Sequence, residues 1–311
     1  MATHVTSGRW KLGAGLALFT ALMWGSAPVA LKLLLGKMDL YTISWFRFTV
    51  SFFIIMAWVY RRHGLSVLPA LKASAPWLVL AALGLSGNYL FFMLGLERMP
   101  PSAVVVIIQL APMFLLFGGV IIFRERYSRR QFGGFLILVC GLLLFFNQRM
   151  DDVLSGAGNY PIGFVLVVLA AVTWAVYALT QKQLLEELPS EAIMMCVYLG
   201  GALFFTPMTT PGDISGVGVL EGALLVFVCL NTALAYGTFS ESLDHLEASR
   251  VSTILSLVPL VTIVVTRLLD FIFPDFIVIE EMNGLSVLGA LMVVFGSAIN
   301  SFAGKRPGPV Q

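Results

Sequence analysis

The sequence predicts an all-α integral membrane protein of ten transmembrane helices, arranged as two five-helix repeats of inverted topology. Three observations predict it. The 311 residues are 59% hydrophobic and only 12% charged, with a mean hydropathy of +0.92, whereas a soluble domain carries about 25% charge. The stretch 97–112 returns at 244–259, and an internal duplication governs every later assignment of fold. Lysine and arginine are spread unevenly over the connections between apolar runs.

Taking about 20 apolar residues as one bilayer crossing, the spans fall near 11–35, 42–60, 75–96, 102–123, 132–147, 161–182, 191–207, 220–240, 249–269 and 285–302. Arg9 and Lys11 precede the first run as they would in a signal peptide. That run is too long for a signal core of about 7–15 residues, so it is the first span. Turn chemistry at His63-Gly64, Pro100-Pro101, Gly156-Ala157-Gly158, Pro211-Gly212-Asp213 and Asn283-Gly284 separates the spans. The expected organisation is a cytoplasmic N-terminus 1–11, a first repeat 12–148, a connecting loop 149–160, a second, inverted repeat 161–303 and a cytoplasmic C-terminal tail 304–311.

The duplication is specific. Ser102, Val104, Ile107, Leu110 and Pro112 recur 147 positions later as Ser249, Val251, Ile254, Leu257 and Pro259, five identities in eleven positions. The triplet Glu97-Arg98-Met99 recurs in kind as Asp244-His245-Leu246. Gly134 and Gly141 return as Gly289 and Gly296 after an eight-residue insertion. With a cytoplasmic N-terminus, the inside segments hold thirteen lysines and arginines and the outside ones five, the asymmetry that sets orientation. Five spans per copy is an odd number, so the copies cross the membrane in opposite senses. The basic stretch from Arg124 to Arg130 accordingly corresponds to one carrying Asp270, Asp275, Glu280 and Glu281. Inverted repeats of this kind build transporters that hold substrate near midplane.

These features together resemble the drug/metabolite transporter (DMT) superfamily, specifically its EamA-type branch. The residues that carry the resemblance are Trp24-Gly25-Ser26-Ala27-Pro28 in the first span, the hairpin into a proline-bearing fourth span, Arg124-Glu125-Arg126 after it, and Gly134 and Gly141 in the fifth. The resemblance covers roughly 12–302. It departs from the family pattern in the longer segment from Asp270 to Met282. It implies the DMT fold and the transport of small metabolites; among bacterial branches the overall similarity is to aromatic amino-acid exporters of the YddG type. It also implies a multi-pass protein of the bacterial inner (plasma) membrane that works by alternating access, with both termini cytoplasmic.

Polar side chains are expensive in hydrocarbon and usually face an interior or a wet cavity. The candidate substrate-binding residues are therefore Trp24, Asn88, Tyr89, Gln109, Trp174, Tyr177, Asn231, Tyr236 and Ser256. Trp24 and Trp174 are repeat mates 150 positions apart, and Tyr177 and Gln181 share the helical face of Trp174. The amides of Asn88, Gln109 and Asn231 need partners, either in a cavity or across a helix contact. Ser249, Ser252, Thr253 and Ser256 form a polar stripe that lines a pocket or bonds backbone carbonyls. Pro28, Pro112 and Pro259 are candidate kinks for gating, since each removes a backbone donor. The pairs Gly118-Gly119, Gly133-Gly134 and Gly200-Gly201 suit close helix packing. Amides beside aromatic rings suit an amino acid with an aromatic or bulky apolar side chain. A drug, purine or sugar derivative on the same scaffold is the alternative, and a non-transporting scaffold a third.

Several classes find no support in the chain. It has no Gly-x-Ser-x-Gly, no His-Glu-x-x-His and no Walker sequence, so neither an enzyme nor direct ATP drive is expected. His4, His63 and His245 are expected in loops or the terminus, and Cys140, Cys196 and Cys229 as small core residues. No metal or other cofactor is implied. A net charge of +2 gives no reason to expect nucleic acid. The expected partners are a small-molecule substrate, an amino acid first among them, and membrane lipids; two halves complete a pathway, so a monomer is expected. Glu241 sits at the cytoplasmic end of the eighth span, and Arg47, near the outer end of the second, reads as snorkelling or pairing at the interface. Without a deep carboxylate the chain reads as a facilitative or weakly coupled exporter.

Overall fold

The computed structural model describes residues 9–64, 66–123, 129–150, 158–246, 248–274 and 282–302. Arg124-Glu125-Arg126, Gly156-Ala157, Asp275, Glu280-Glu281 and the C-terminal tail lie outside the described residues, as do the side chains of Ser249 and Ser252. Among the described residues there is no strand.

Helix α1 (Trp10–Leu35) runs unbroken through Pro28. The four-residue connection to α2 (Leu40–His63) ends in Asp39, whose carboxylate accepts from the backbone N–H of Tyr41 and Thr42 at 2.9 Å each. That cap satisfies two donors the helix leaves open and sets its start. Arg61, Arg62 and His63 occupy its last turn, where cations meet the negative end of the dipole. Gly64 then turns the chain with φ of 57°, which a side chain would resist. A six-residue helix α3 (Leu68–Ala73) leads to α4 (Ala75–Arg98).

Of the three spans with a candidate kink, that with Pro28 is unbroken, while those with Pro112 and Pro259 are each divided. The first of the divided spans is α5 (Pro101–Ile107), a 3-10 turn at Ile108–Leu110, and α6 (Ala111–Phe123). After α7 (Arg129–Phe145), α8 (Asn159–Leu184), α9 (Ser190–Phe205) and α10 (Val219–His245), the second comprises α11 (Ala248–Leu255) and α12 (Val258–Ile272). Pro112 and Pro259 each stand one residue inside the later piece. Their rings crowd the carbonyl four residues back and supply no N–H, which favours a break there, although α1 passes through Pro28 unbroken. Helix α13 (Gly284–Phe302) completes the described chain.

Among the described residues eight helical stretches are long and apolar enough to cross a membrane, while the apolar part of α13, Gly284–Ile299, is shorter. Apolar side chains also cover the outside: Ile121 is 77% exposed and Phe271 84%. Water would penalise such a surface and a bilayer accepts it. Buried side chains form two main clusters, one around Leu34, Met93, Leu96 and Val104, the other around Phe48, Tyr177, Val197 and Phe205.

Close packing rests on small residues. Helices α7 and α13 touch backbone to backbone: a Cβ on Gly141 would sit 2.8 Å from the Gly289 carbonyl, and one on Gly296 2.7 Å from that of Gly134. Helices α4 and α8 approach where a Cβ on Gly84 would lie 2.9 Å from the Tyr177 nitrogen. Apolar helices gain little from burial against one another in lipid, so such contacts matter more there. Gly118, Gly200 and Gly201 also face neighbouring side chains, but Gly133 meets open space and contributes nothing to packing.

Two other expectations are corrected. Cys229 is buried, but Cys140 is exposed and Cys196 only half-buried; Cys140 is one step round the helix from Gly141, whose face meets α13, and so points outward. His63 and His245 are not in loops but close α2 and α10. His63 Nε2 lies 3.0 Å from Glu191 Oε1, which Arg62 also meets at 3.2 Å.

Candidate functional site

A cavity of about 720 Å³ lies among α1, α2, α4, α8, α9 and α10 and the two helix breaks, within the size range of small-molecule sites. All nine predicted residues line it: Trp24, Asn88, Tyr89, Gln109, Trp174, Tyr177, Asn231, Tyr236 and Ser256. Pro28 and Pro112 line it as well. Pro259 is buried but stands outside the lining.

Most of the predicted lining groups are held by a nameable contact. The Trp24 ring meets Tyr236 edge-on at 5.4 Å and lies 5.7 Å from Phe239. Tyr89 packs on Phe48 at 4.5 Å. Tyr177 donates from its hydroxyl to the Met194 sulfur at 3.1 Å, while Gln181 lines the same wall. The amides serve two purposes. Asn88 Nδ2 donates to the Ala170 carbonyl at 2.9 Å and Asn231 Nδ2 to the Met23 carbonyl at 2.6 Å. Each thus ties two helices, α4 to α8 and α10 to α1, while also lining the cavity. Gln109 Nε2 donates to the Ser256 carbonyl at 3.3 Å, and Ser256 Oγ to the Thr253 carbonyl at 2.7 Å. Of the two stripe side chains that are described, Thr253 and Ser256, Ser256 reaches the cavity.

Sequence reasoning misplaced one charged lining residue. Arg47 does not snorkel to the interface: it is 7% exposed and lines the cavity. Its Nε donates to Thr232 Oγ1 at 3.0 Å, and its guanidinium carbon stands 4.4 Å from the Tyr89 ring centroid, a cation–π contact. Thr232, 1% exposed, lines the cavity beside it. The lone signal in the sequence was a charge seven residues inside an apolar helix.

The cavity runs from Leu31, Arg47 and Phe92 to Leu185 and Ser190, where α8 ends and α9 begins. Beyond its Leu31 end hydrogen bonds tie neighbouring segments together. Lys32 donates to the carbonyls of Leu96, Glu97 and Met99 at the end of α4. Thr210 Oγ1 donates to Asp39 Oδ2 at 3.0 Å, and Thr210 N–H to Thr42 Oγ1 at 2.9 Å. At Asp39, burial disfavours the charge, but the hydrogen bonds from Thr42, Thr210 and Tyr41 outweigh it and hold the carboxyl below the usual aspartate range. Among the described residues no cluster of three His, Cys, Asp or Glu side chains forms. Rings, amides and one guanidinium line the cavity, a set of groups with the chemistry to contact a small molecule.

Comparison with known proteins agrees with this geometry. The EamA-like transporter family model matches twice, at 11–147 and 161–302. An uncharacterized transporter of Haemophilus influenzae is 34% identical over 94% of this chain and 96% of its own. The uncharacterized inner membrane transporter YhbE of Escherichia coli is 34% identical over 95% of this chain and 92% of its own. A probable amino-acid metabolite efflux pump of Salmonella typhimurium is 25% identical over 92% and 94%. One solved crystal structure shares the fold, with a TM-score of 0.65 at 21% identity, covering 94% of this chain and 99% of that one. The chain is a membrane transporter and belongs to the EamA-like transporter family.

Proposed function

We propose that the chain is a secondary exporter of small metabolites, foremost amino acids with aromatic or bulky apolar side chains. It works by alternating access around the central cavity, in the bacterial inner membrane, as a monomer and without a cofactor. One observation carries the reading: the predicted rings and amides converge on a single cavity. The efflux-pump relative supports the substrate class, and the inner-membrane relative the location.

The proposal includes ten spans in two inverted repeats, 12–148 and 161–303, with both termini cytoplasmic. Two features support it: the double family match and the packing pairs. Helix α1 packs on α10 and α8 on α4, α2 on α9 and α7 on α13. Exchanging the two halves maps each of these pairings onto another or onto itself. In this orientation the Leu185 and Ser190 end of the cavity faces the cytoplasm, the side from which an exporter loads. Asp39 and Lys32 close the opposite side. Among the described residues the lining carries no carboxylate for a coupling ion, which favours facilitative or weakly coupled transport.

The test is efflux of labelled amino acids from proteoliposomes containing only this chain, wild type and Trp174→Ala. Saturable efflux of phenylalanine or tryptophan, weakened by the substitution, is expected. Absence of efflux for every amino acid overturns the substrate class and turns attention to drugs, purines and sugar derivatives. Counterflow that proceeds only under an imposed pH gradient overturns the facilitative part.

A further inference from the structure

Among the described residues the cavity lining holds one formal charge, and it has no counter-ion there. Arg47 is that charged side chain, and no described Asp or Glu pairs with it. Its position is nevertheless fixed. Thr232 Oγ1, itself donating to the Val228 carbonyl at 2.9 Å, accepts from Nε, and the Tyr89 ring lies against the guanidinium.

A guanidinium presents five N–H donors in a rigid fork. The contact with Thr232 uses the Nε–H; the terminal N–H groups have no protein acceptor among the described residues. An unpaired arginine at depth is costly, and such residues mark substrate or ion pathways. A head clamped by a hydroxyl and a ring, with its fork left open toward a cavity, lacks one thing: a planar anion.

We propose that Arg47 is the specificity-determining residue of the cavity, binding the carboxylate of the substrate while its apolar body lies among Tyr89, Trp24 and Trp174. This deepens the export reading and rests on the same cavity. A single planar fork matches a carboxylate bidentately, whereas a cationic ligand would meet a like charge and find no carboxylate. The cavity therefore selects carboxylate-bearing molecules and rejects the corresponding amines.

The test is binding to the full-length purified chain, read by quenching of tryptophan fluorescence. The probes are 3-phenylpropionate, its neutral amide and 2-phenylethylamine, applied to wild type, Arg47→Gln and Arg47→Lys. The carboxylate is expected to bind about tenfold or more tighter than the amide, the usual worth of a charge-assisted hydrogen bond, and the amine not at all. Arg47→Gln is expected to erase the preference and Arg47→Lys to restore part of it. Should Arg47→Gln fail to fold, Thr232→Val, which removes the hydroxyl that aims the fork, is expected to lower the preference by a smaller factor. Equal binding of acid and amide, a preference that survives Arg47→Gln, or no binding of any probe overturns the inference. Amino-acid efflux alongside equal binding of acid and amide discards the role of Arg47 and keeps the exporter. Arg47-dependent binding without any amino-acid efflux overturns the export reading alone.

Discussion

Gln109 Nε2 donates to the backbone carbonyl of Ser256 at 3.3 Å, so the break in one proline-bearing span is bonded to the break in the other. The two residues occupy equivalent places in the duplicated stretch, 147 positions apart. Each break leaves carbonyls that a regular helix would have used, and one of them takes up the amide of Gln109. Replacing Gln109 by Leu keeps the volume and removes the donor. The expected result is a loss of about 1 kcal/mol in stability, together with slower efflux, measured by thermal unfolding and proteoliposome transport. Unchanged melting and transport would show the bond to be idle.

Gly141→Val drives a side chain into the Gly289 carbonyl. Backbone cannot yield as a flexible side-chain tip does, so α7 and α13 must separate. A cost of about 1–3 kcal/mol is expected, visible as lower melting temperature and poorer yield. Gly133→Ala is the matched control, because open space surrounds that position, and it is expected to melt like the wild type.

Asp39 gives the fold an acid-sensitive point. Its folded carboxyl ionises more readily than the same group in the unfolded chain, because three neighbours donate to it. The stability it confers is therefore full above the ordinary aspartate range and is lost as pH falls through the lower folded value. Asp39→Asn removes the titration. Its melting temperature is expected to lie below that of the wild type at neutral pH, with the difference shrinking in acid.

Lys32 supplies the cation that three carbonyls at the end of α4 share. Lys32→Met keeps most of the stem and removes the charge. A loss of about 1–3 kcal/mol is expected, and a Phe92→Cys reporter in the cavity is expected to react faster with a water-soluble thiol reagent. Labelling at an unchanged rate would mean that Lys32 does not hold this end closed.

Much of this molecule is legible in its sequence, and the limits are physical. Helices declare themselves because a bilayer demands long apolar runs, and the duplicated stretch declares which runs correspond. The nine cavity residues were reachable because rings and amides are scarce at depth, which leaves few places to put them. Their partners were not. Asn88 and Asn231 bond backbone carbonyls of other helices, and every residue supplies such a carbonyl, so composition cannot single one out. Arg47 was misjudged for a related reason. Seven residues from a helix end allows either an excursion to the surface or a turn inward, and only Thr232 and Tyr89, from two distant segments, decide it. The divided helices accord with Pro112 and Pro259, but Pro28 leaves α1 unbroken, so proline alone does not decide where a helix divides.

The seam between α7 and α13 involves neither the rings nor the amides of the cavity. Substitutions in most of the cavity lining therefore leave that seam untouched, whereas Asn88 and Asn231, which also tie helices together, bear on cavity and packing at once.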